Sequence, residues 1–194
     1  MRLSVPPKAQ QALDLLHAAG HEAWLVGGCV RDLLLGRTPR DVDLTTSALP
    51  EETLRVFAGF RTIEMGLRHG TVTVLLDGTP IEITTYRVDG SYTDARHPDG
   101  VTFTRSLRED AARRDFTVNA MAYDRDAGLR DWFGGQADLA ARTIRCVGDP
   151  ARRFREDALR ILRALRFASV LGFTIDPATA AAARACAPLL AQVS

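Results

Sequence analysis

Residues 25–43 read LVGGCVRDLLLGRTPRDVD. The apolar run Ala23 to Val26 ends in two adjacent glycines, a helix-length segment closed by Gly36 follows, and then come two aspartates separated by one valine. The pattern predicts strand, tight turn, helix and strand. Successive side chains of a strand point to opposite faces, so Asp41 and Asp43 project to one side and Val42 to the other. Unless Arg31, Arg37 or Arg40 turns inward, two convergent carboxylates call for a hard divalent cation. Mg²⁺ is usually held by one or two carboxylates, with phosphate oxygens completing its shell. Gly27 and Gly28 supply backbone without Cβ atoms, able to take positive φ and to admit a phosphate, and a helix starting near Cys29 offers free N–H groups to that anion. Arg31, in its first turn, would add a bidentate phosphate partner.

A D-x-D or a Gly-Gly alone is commonplace. In this order and spacing, with Arg31-Asp32 and Gly36-Arg37 between them, they resemble the nucleotidyltransferases of the DNA polymerase β superfamily. More closely, the stretch is similar to the class II tRNA nucleotidyltransferases (CCA-adding enzymes) and the bacterial poly(A) polymerases. The resemblance implies an α+β fold: a polymerase-β-like nucleotidyltransferase head, with a mixed β-sheet and flanking helices, followed by an all-α neck.

Composition sets the bounds. The chain has 194 residues, 46% of them hydrophobic, enough for one large domain with a core. The net charge of +1 gives no global electrostatic argument for nucleic acid, so any basic surface is local. Among 25 basic residues only Lys8 is a lysine, a bias so complete that it points to a G+C-rich genome; arginine positions are informative and arginine counts are not. Cys29, Cys146 and Cys186 are odd in number, far apart and without metal-ligand spacing, which argues for a reducing compartment. No leader pattern opens the chain and no apolar run approaches membrane-spanning length. A cytosolic, soluble protein is expected.

Ala9, Ala12, Leu13, Leu16 and Ala19 recur at helical spacing ahead of Gly20, and Ser47 or a neighbour can cap a short helix running to about Ala58. Strand-like runs follow at residues 60–65, 71–76 and 80–87, with Asp77-Gly78 as a hairpin turn between the last two. These elements predict a mixed sheet with helices on one side. Glu82 lies between two isoleucines and faces away from them, either into solvent or beside the D-x-D strand. In the superfamily a third carboxylate on a neighbouring strand is common, so the resemblance would make Glu82 a catalytic partner of Asp41 and Asp43.

Residues 88–104 are polar and turn-rich. A loop this long is either a surface loop or a functional one; the resemblance favours a lid, which the CCA-adding and A-adding enzymes keep here. Ser106-Leu-Arg-Glu109 reads as a capping box. Arg113-Arg114-Asp115-Phe116-Thr117-Val118-Asn119-Ala120 matches the family's R-R-D-F-T-x-N-A motif, which implies that Arg114 meets a triphosphate and Asp115 a ribose hydroxyl. A carboxylate suits ribose because the 2′-OH can donate to it. Asp131-Trp132-Phe133-Gly134-Gly135 is similar to the family's hinge motif and is, on chemistry alone, equally a plain aromatic-glycine turn.

After Asp149-Pro150 the pattern predicts one long amphipathic helix over residues 151–171, burying Ala158, Ile161, Leu162, Leu165 and Ala168, and another over residues 177–190. The expected division is residues 1–148 as head and 149–194 as the start of a neck. Asp157 and Arg160, three apart, would share a helix face as an ordinary ion pair. By resemblance to the family's E-D-x-x-R motif they would select the incoming base. Cytosine and adenine each offer an amino donor beside a ring-nitrogen acceptor, matching a carboxylate and an arginine; guanine and uracil would leave like groups facing each other. Arg163 and Arg166 would be phosphate or stacking contacts by the same resemblance.

The activity implied is template-independent addition of CMP and AMP, from CTP and ATP, to the 3′ end of tRNA, either as the whole CCA or as its terminal A alone. Mg²⁺ would sit on Asp41 and Asp43, and Gly28, Arg31 and Arg114 would take the triphosphate. No covalent nucleophile is expected, since neither His69 nor His97 has a serine or cysteine partner. Poly(A) polymerase shares these motifs; Met65 to Thr71 resembles the CCA side, and the basic run marking the polymerases after the first motif is missing. A reading of another class is a non-catalytic nucleotide- or RNA-binding module that kept the fold. Family members continue for about as long again, so a head with part of a neck is expected.

Overall fold

The structure is a computed structural model that describes residues 2–92, 98 and 100–192. It divides into two compact units, residues 1–88, 102–111 and 121–130 forming one and residues 89–101, 112–120 and 131–194 the other. Residues 93–97 and 99 of the expected loop, His97 among them, lie outside the described residues.

The first unit opens with α1 (Pro7–Ala18). Proline at N1 costs no hydrogen bond there, and Ala9, Ala12, Leu13 and Leu16 are fully buried. Each such leucine contributes about 1.5–3 kcal/mol by leaving water. Gly20 ends the helix at φ 87°. Then come β1 (Ala23–Val26), buried throughout, α2 (Gly28–Leu34), β2 (Asp43–Thr46) and α3 (Pro50–Val56). Ser47 does not cap α3. Pro50 favours N1 and so fixes the start later; the Leu49 N–H donates to the Glu52 carboxylate at 2.8 Å, while the Ser47 hydroxyl accepts from the Glu22 N–H at 3.0 Å.

Next are β3 (Arg61–Ile63), β4 (Thr71–Leu76) and β5 (Thr79–Thr85). Asp77 and Gly78 both take positive φ, 48° and 81°, as a two-residue primed hairpin turn requires. A two-stranded ribbon, β6 (Arg87–Asp89) with β7 (Val101–Phe103), marks where the chain passes between units. It is followed by α4 (Leu107–Ala112), β8 (Ala122–Asp124) and β9 (Gly128–Arg130). Half of the expected capping box forms at α4: the Ser106 hydroxyl accepts from the Glu109 N–H at 3.3 Å. The Glu109 carboxylate meets the Thr104 hydroxyl, whose oxygen in turn accepts the Ser106 N–H at 3.2 Å.

The seven-stranded sheet runs β3-β4-β5-β2-β1-β8-β9, with β2 parallel to β5 and the other neighbours antiparallel. It is mixed, as the pattern predicts. Leu44, Val72, Val74, Leu76, Ile81 and Ile83 are buried on one face, and α1 and α3 pack on the sheet. The other face carries Asp43, Thr45, Thr71, Thr73, Glu82 and Thr84. Toward β8 that face is closed by an apolar cluster of Trp24, Val26, Tyr86, Leu107 and Ala122, leaving its polar part around β2 and β5.

The second unit holds α5 (Gly135–Ala140), β10 (Thr143–Ile144), α6 (Pro150–Glu156), α7 (Leu159–Leu171), β11 (Thr174–Ile175) and α8 (Pro177–Cys186), with β10 parallel to β11. The expected hinge motif forms a capped turn: Asp131 accepts the N–H groups of Gly135 and Gln136, each at 2.8 Å. The long helix expected over residues 151–171 is two. Asp157 is extended, at φ −144° and ψ 102°, and its carboxylate accepts the Leu159 N–H at 2.9 Å, so the chain restarts as α7. A short carboxylate competes with the backbone for its own N–H groups, which here breaks a helix whose apolar period runs straight through. The buried side of α7 is consequently Arg160, Ile161, Ala164 and Leu171. Leu162 and Leu165 are 46% and 55% exposed, and Ala168 is half-buried. The helix expected to reach about residue 190 ends at Cys186, with a 3₁₀ turn after it. Among the described residues no helix is long and apolar enough to cross a membrane.

Candidate active site

The parallel register of β2 on β5 sets Asp43 beside Glu82, on the same face of the sheet. Asp43 is half-buried and Glu82 exposed. Asp41 lies in the bend before the strand, exposed, and the Glu82 N–H reaches the Val42 carbonyl at 3.2 Å, carrying the ladder one residue past the strand's start. Among the described residues no three His, Cys, Asp or Glu side chains gather as a ready-made metal cluster. A pair of carboxylate ligands is what Mg²⁺ takes when phosphate oxygens supply the rest of its shell. The negative charge is felt nearby: burial, and then Asp43 and Asp32, push the Cys29 thiol up to about 12, leaving it protonated and inert.

The glycine pair has divided labour. Gly27 sits at φ 73° and ψ −144°, a region closed to residues with a Cβ. Gly28 has an ordinary φ, but a Cβ there would lie 3.3 Å from Arg31 Nη2. Its bareness makes room for the Arg31 guanidinium, which is 7% exposed and donates from Nε and Nη2 to Asp32 Oδ1 at 2.9 and 2.8 Å. Gly27→Ala is expected to cost about 1–3 kcal/mol of stability, read as a fall in Tm; an unchanged Tm would mean that the turn relaxes without strain.

In the second unit Asp115 is 7% exposed; it accepts hydrogen bonds from the Phe116 N–H at 2.8 Å, Asn119 Nδ2 at 3.3 Å and Arg163 Nε at 2.7 Å, and Arg163 Nη2 adds an ion-pair contact at 2.6 Å. Arg163, expected at a phosphate or base, is thus the ion-pair partner of Asp115. Its guanidinium lies 5.2 Å from the Phe167 ring and that of exposed Arg166 lies 4.7 Å from it; Phe167 meets Phe116 edge-on at 5.9 Å. Arg114, half-buried, stands next to Asp115 in sequence.

Asp157 and Arg160 come together, although not on one helix face, since the break falls between them. Arg160 Nε is 3.8 Å from Asp157 Oδ2. Arg160 is 8% exposed, and its Nη1 donates to Glu156 at 3.0 Å and its Nη2 to the Arg113 carbonyl at 3.2 Å. That last bond ties the two motifs of this unit directly.

Residues 23–145 match the poly A polymerase head domain family. The chain belongs to this family. The matched span of the poly A polymerase head domain takes in Gly28, Arg31, Asp41, Asp43, Glu82, Arg114 and Asp115, and stops before Asp157, Arg160, Arg163 and Arg166. The chain is 53% identical over 191 residues to a CCA-adding enzyme of Geobacillus thermodenitrificans, covering 97% of this chain and 47% of that one. A crystal structure of the Bacillus stearothermophilus CCA-adding enzyme in complex with CTP superposes with a TM-score of 0.89 at 47% identity, covering 98% of this chain and 46% of that one. A tRNA nucleotidyltransferase complexed with a primer tRNA and an incoming ATP analog gives a TM-score of 0.72 at 33% identity, covering 92% and 50%. The chain spans about half the length of the curated relatives it matches.

Beyond the matched span of the poly A polymerase head domain, the sequence pattern places Glu156 on the polar side of its helix and gives it no role of its own. Its carboxylate holds Arg152, Arg153 and Arg160, each at 3.0 Å. The i,i+3 and i,i+4 spacing of those arginines around it was the available signal. Asn119, the last polar member of the R-R-D-F-T motif, was also read without a role; it steadies Asp115.

Proposed function

We propose that this chain carries the catalytic head, residues 1–148, and the start of the helical neck, residues 149–194, of an enzyme that adds CMP and AMP from CTP and ATP to the 3′ end of tRNA. The observation that carries the reading is the pairing of Asp43 with Glu82 on an open sheet face, in a chain 53% identical to a CCA-adding enzyme. Asp41 and Asp43 would hold Mg²⁺, with Glu82 beside them. Bound there, the cation would supply charge neutralisation at the phosphates and lower the pKa of the attacking 3′-hydroxyl.

The protein's own groups do the rest. Gly28, Arg31 and Arg114 bind the triphosphate, the Arg31 guanidinium being already turned toward the glycine pair. Asp115 accepts from the ribose 2′-OH. Asp157 accepts from the exocyclic amine of cytosine or adenine while Arg160 donates to the ring nitrogen. Arg163 and Arg166 border Phe167 and serve the phosphate or the base. Guanine and uracil are rejected because they would leave buried like groups facing each other.

The test is incorporation of labelled CTP and ATP, with and without Mg²⁺, into a tRNA ending at the discriminator base and into one already carrying both cytidines. Cytidine on the first and adenosine on the second, both requiring Mg²⁺, are expected. Extension of unrelated RNA by ATP alone would make the chain a poly(A) polymerase. Binding of CTP with no transfer to either primer would make it a nucleotide-binding module.

A further inference from the structure

Behind Asp115 lies a polar network that no step above uses. The Thr117 N–H donates to the Arg145 carbonyl at 2.9 Å and the Val147 N–H to the Asp115 carbonyl at 3.0 Å, with Phe116 and Cys146 bridged antiparallel between them. The backbone that carries Asp115 is thereby sewn to residues 145–147. Along this seam the Thr117 hydroxyl donates to Asp138 Oδ2 at 2.7 Å, and Arg145 Nε reaches both Asp138 oxygens at 3.1 Å. Arg145 Nη1 donates to Asp176 at 2.5 Å. Asp176 also accepts from the N–H and the hydroxyl of Thr179, whose oxygen takes the Cys146 N–H at 3.2 Å.

Asp138 and Asp176 are each 7% exposed. One arginine therefore pairs with two buried carboxylates, and Asp138 is bonded to both sides of the seam, to Thr117 and to Arg145. The aim of Asp115 depends on this arrangement. Two of its bonds come from the Phe116 N–H and the Asn119 side chain, in the turn that Asp138 pins through Thr117.

Resting on the reading of Asp115 as the ribose contact, we infer that Arg145 and Asp138 are positioning residues that aim the Asp115 carboxylate and so set the preference for ribonucleotide over deoxyribonucleotide. Neither touches the nucleotide. They act by fixing the turn, and a turn free to shift would leave the carboxylate present but misdirected.

The experiment is calorimetric titration of the 194-residue chain with ATP and with dATP, in Mg²⁺, for the unaltered protein and for Asp115→Ala, Arg145→Met, Arg145→Lys and Thr117→Val, each first melted to establish that it is folded. The unaltered chain should prefer ATP by about tenfold or more, the worth of a hydrogen bond to a charged group. Arg145→Met should bring the ratio toward one and Arg145→Lys should recover part of it, whatever either does to Tm; a role in stability alone would lower Tm and leave the ratio untouched. Should Arg145→Met not fold, Thr117→Val decides, because it removes one hydroxyl and keeps the ion pairs. A ratio that stays within about twofold of the unaltered one in these variants, while Asp115→Ala abolishes it, overturns the positioning role. A ratio that survives Asp115→Ala overturns the ribose reading itself.

Discussion

Asp43→Asn is expected to reduce nucleotidyl transfer by on the order of a thousandfold, the scale on which losing one electrostatic stabiliser of a transition state is felt. The substitution keeps shape and removes charge, so the loss reports the carboxylate and not the packing. Asp43 opens β2 on the open face of the sheet, half-buried and outside the apolar core. Its replacement should change stability by no more than about 0.5 kcal/mol, the range of surface changes. Initial rates of CTP incorporation, paired with a melting curve, check both halves. A variant retaining more than about a tenth of the original rate would move the metal to other ligands.

Arg160→Ala should strike stability and selectivity together. The arginine is 8% exposed and offsets Glu156, whose side chain is itself largely covered. Removing one partner of such a pair leaves a buried charge uncompensated and costs about 3 kcal/mol, at the lower end of the usual range because Arg152 and Arg153 also reach Glu156. On the proposed reading the donor to the ring nitrogen of the base would disappear at the same stroke, so the preference for CTP over UTP should fall toward none. Urea denaturation measures the first effect and competitive nucleotide binding the second. Arg160→Lys should keep much of the stability and little of the selectivity, because an ammonium cannot reproduce the fork of the guanidinium. A full preference for CTP in either variant would place base recognition elsewhere.

The chain announces its sheet plainly. The two-residue period of residues 71–76 and 80–85, the Asp77-Gly78 turn and the Gly-Gly opening of α2 are local features, and they form where the pattern puts them. Alternation likewise shows which way Glu82 faces. Its neighbour is another matter, since the pairing of β2 with β5 joins segments distant in sequence and no local pattern specifies that register. The break at Asp157 was hidden because apolar spacing continues through it; the φ/ψ of one residue, set by a carboxylate that captures the Leu159 N–H, outweighed the period. From that break follow the exposure of Leu162 and Leu165 and the altered setting of Asp157 and Arg160. Of the two starts left open for α3, Ser47 or a neighbour, the later one forms, with Leu49 as the N-cap, because Pro50 defines the first turn. Glu156 read as one more charge on a solvated face, and only the packing shows it at the centre of three arginines.

β5 is hydrogen-bonded on both flanks, antiparallel to β4 and parallel to β2. Its seven residues satisfy two registers at once. One residue gained or lost within it would turn Ile81 and Ile83 outward and carry Glu82 into the core, since a single-step slip reverses every side chain that follows. A deleted codon early in this strand is therefore expected to be more damaging than a changed one.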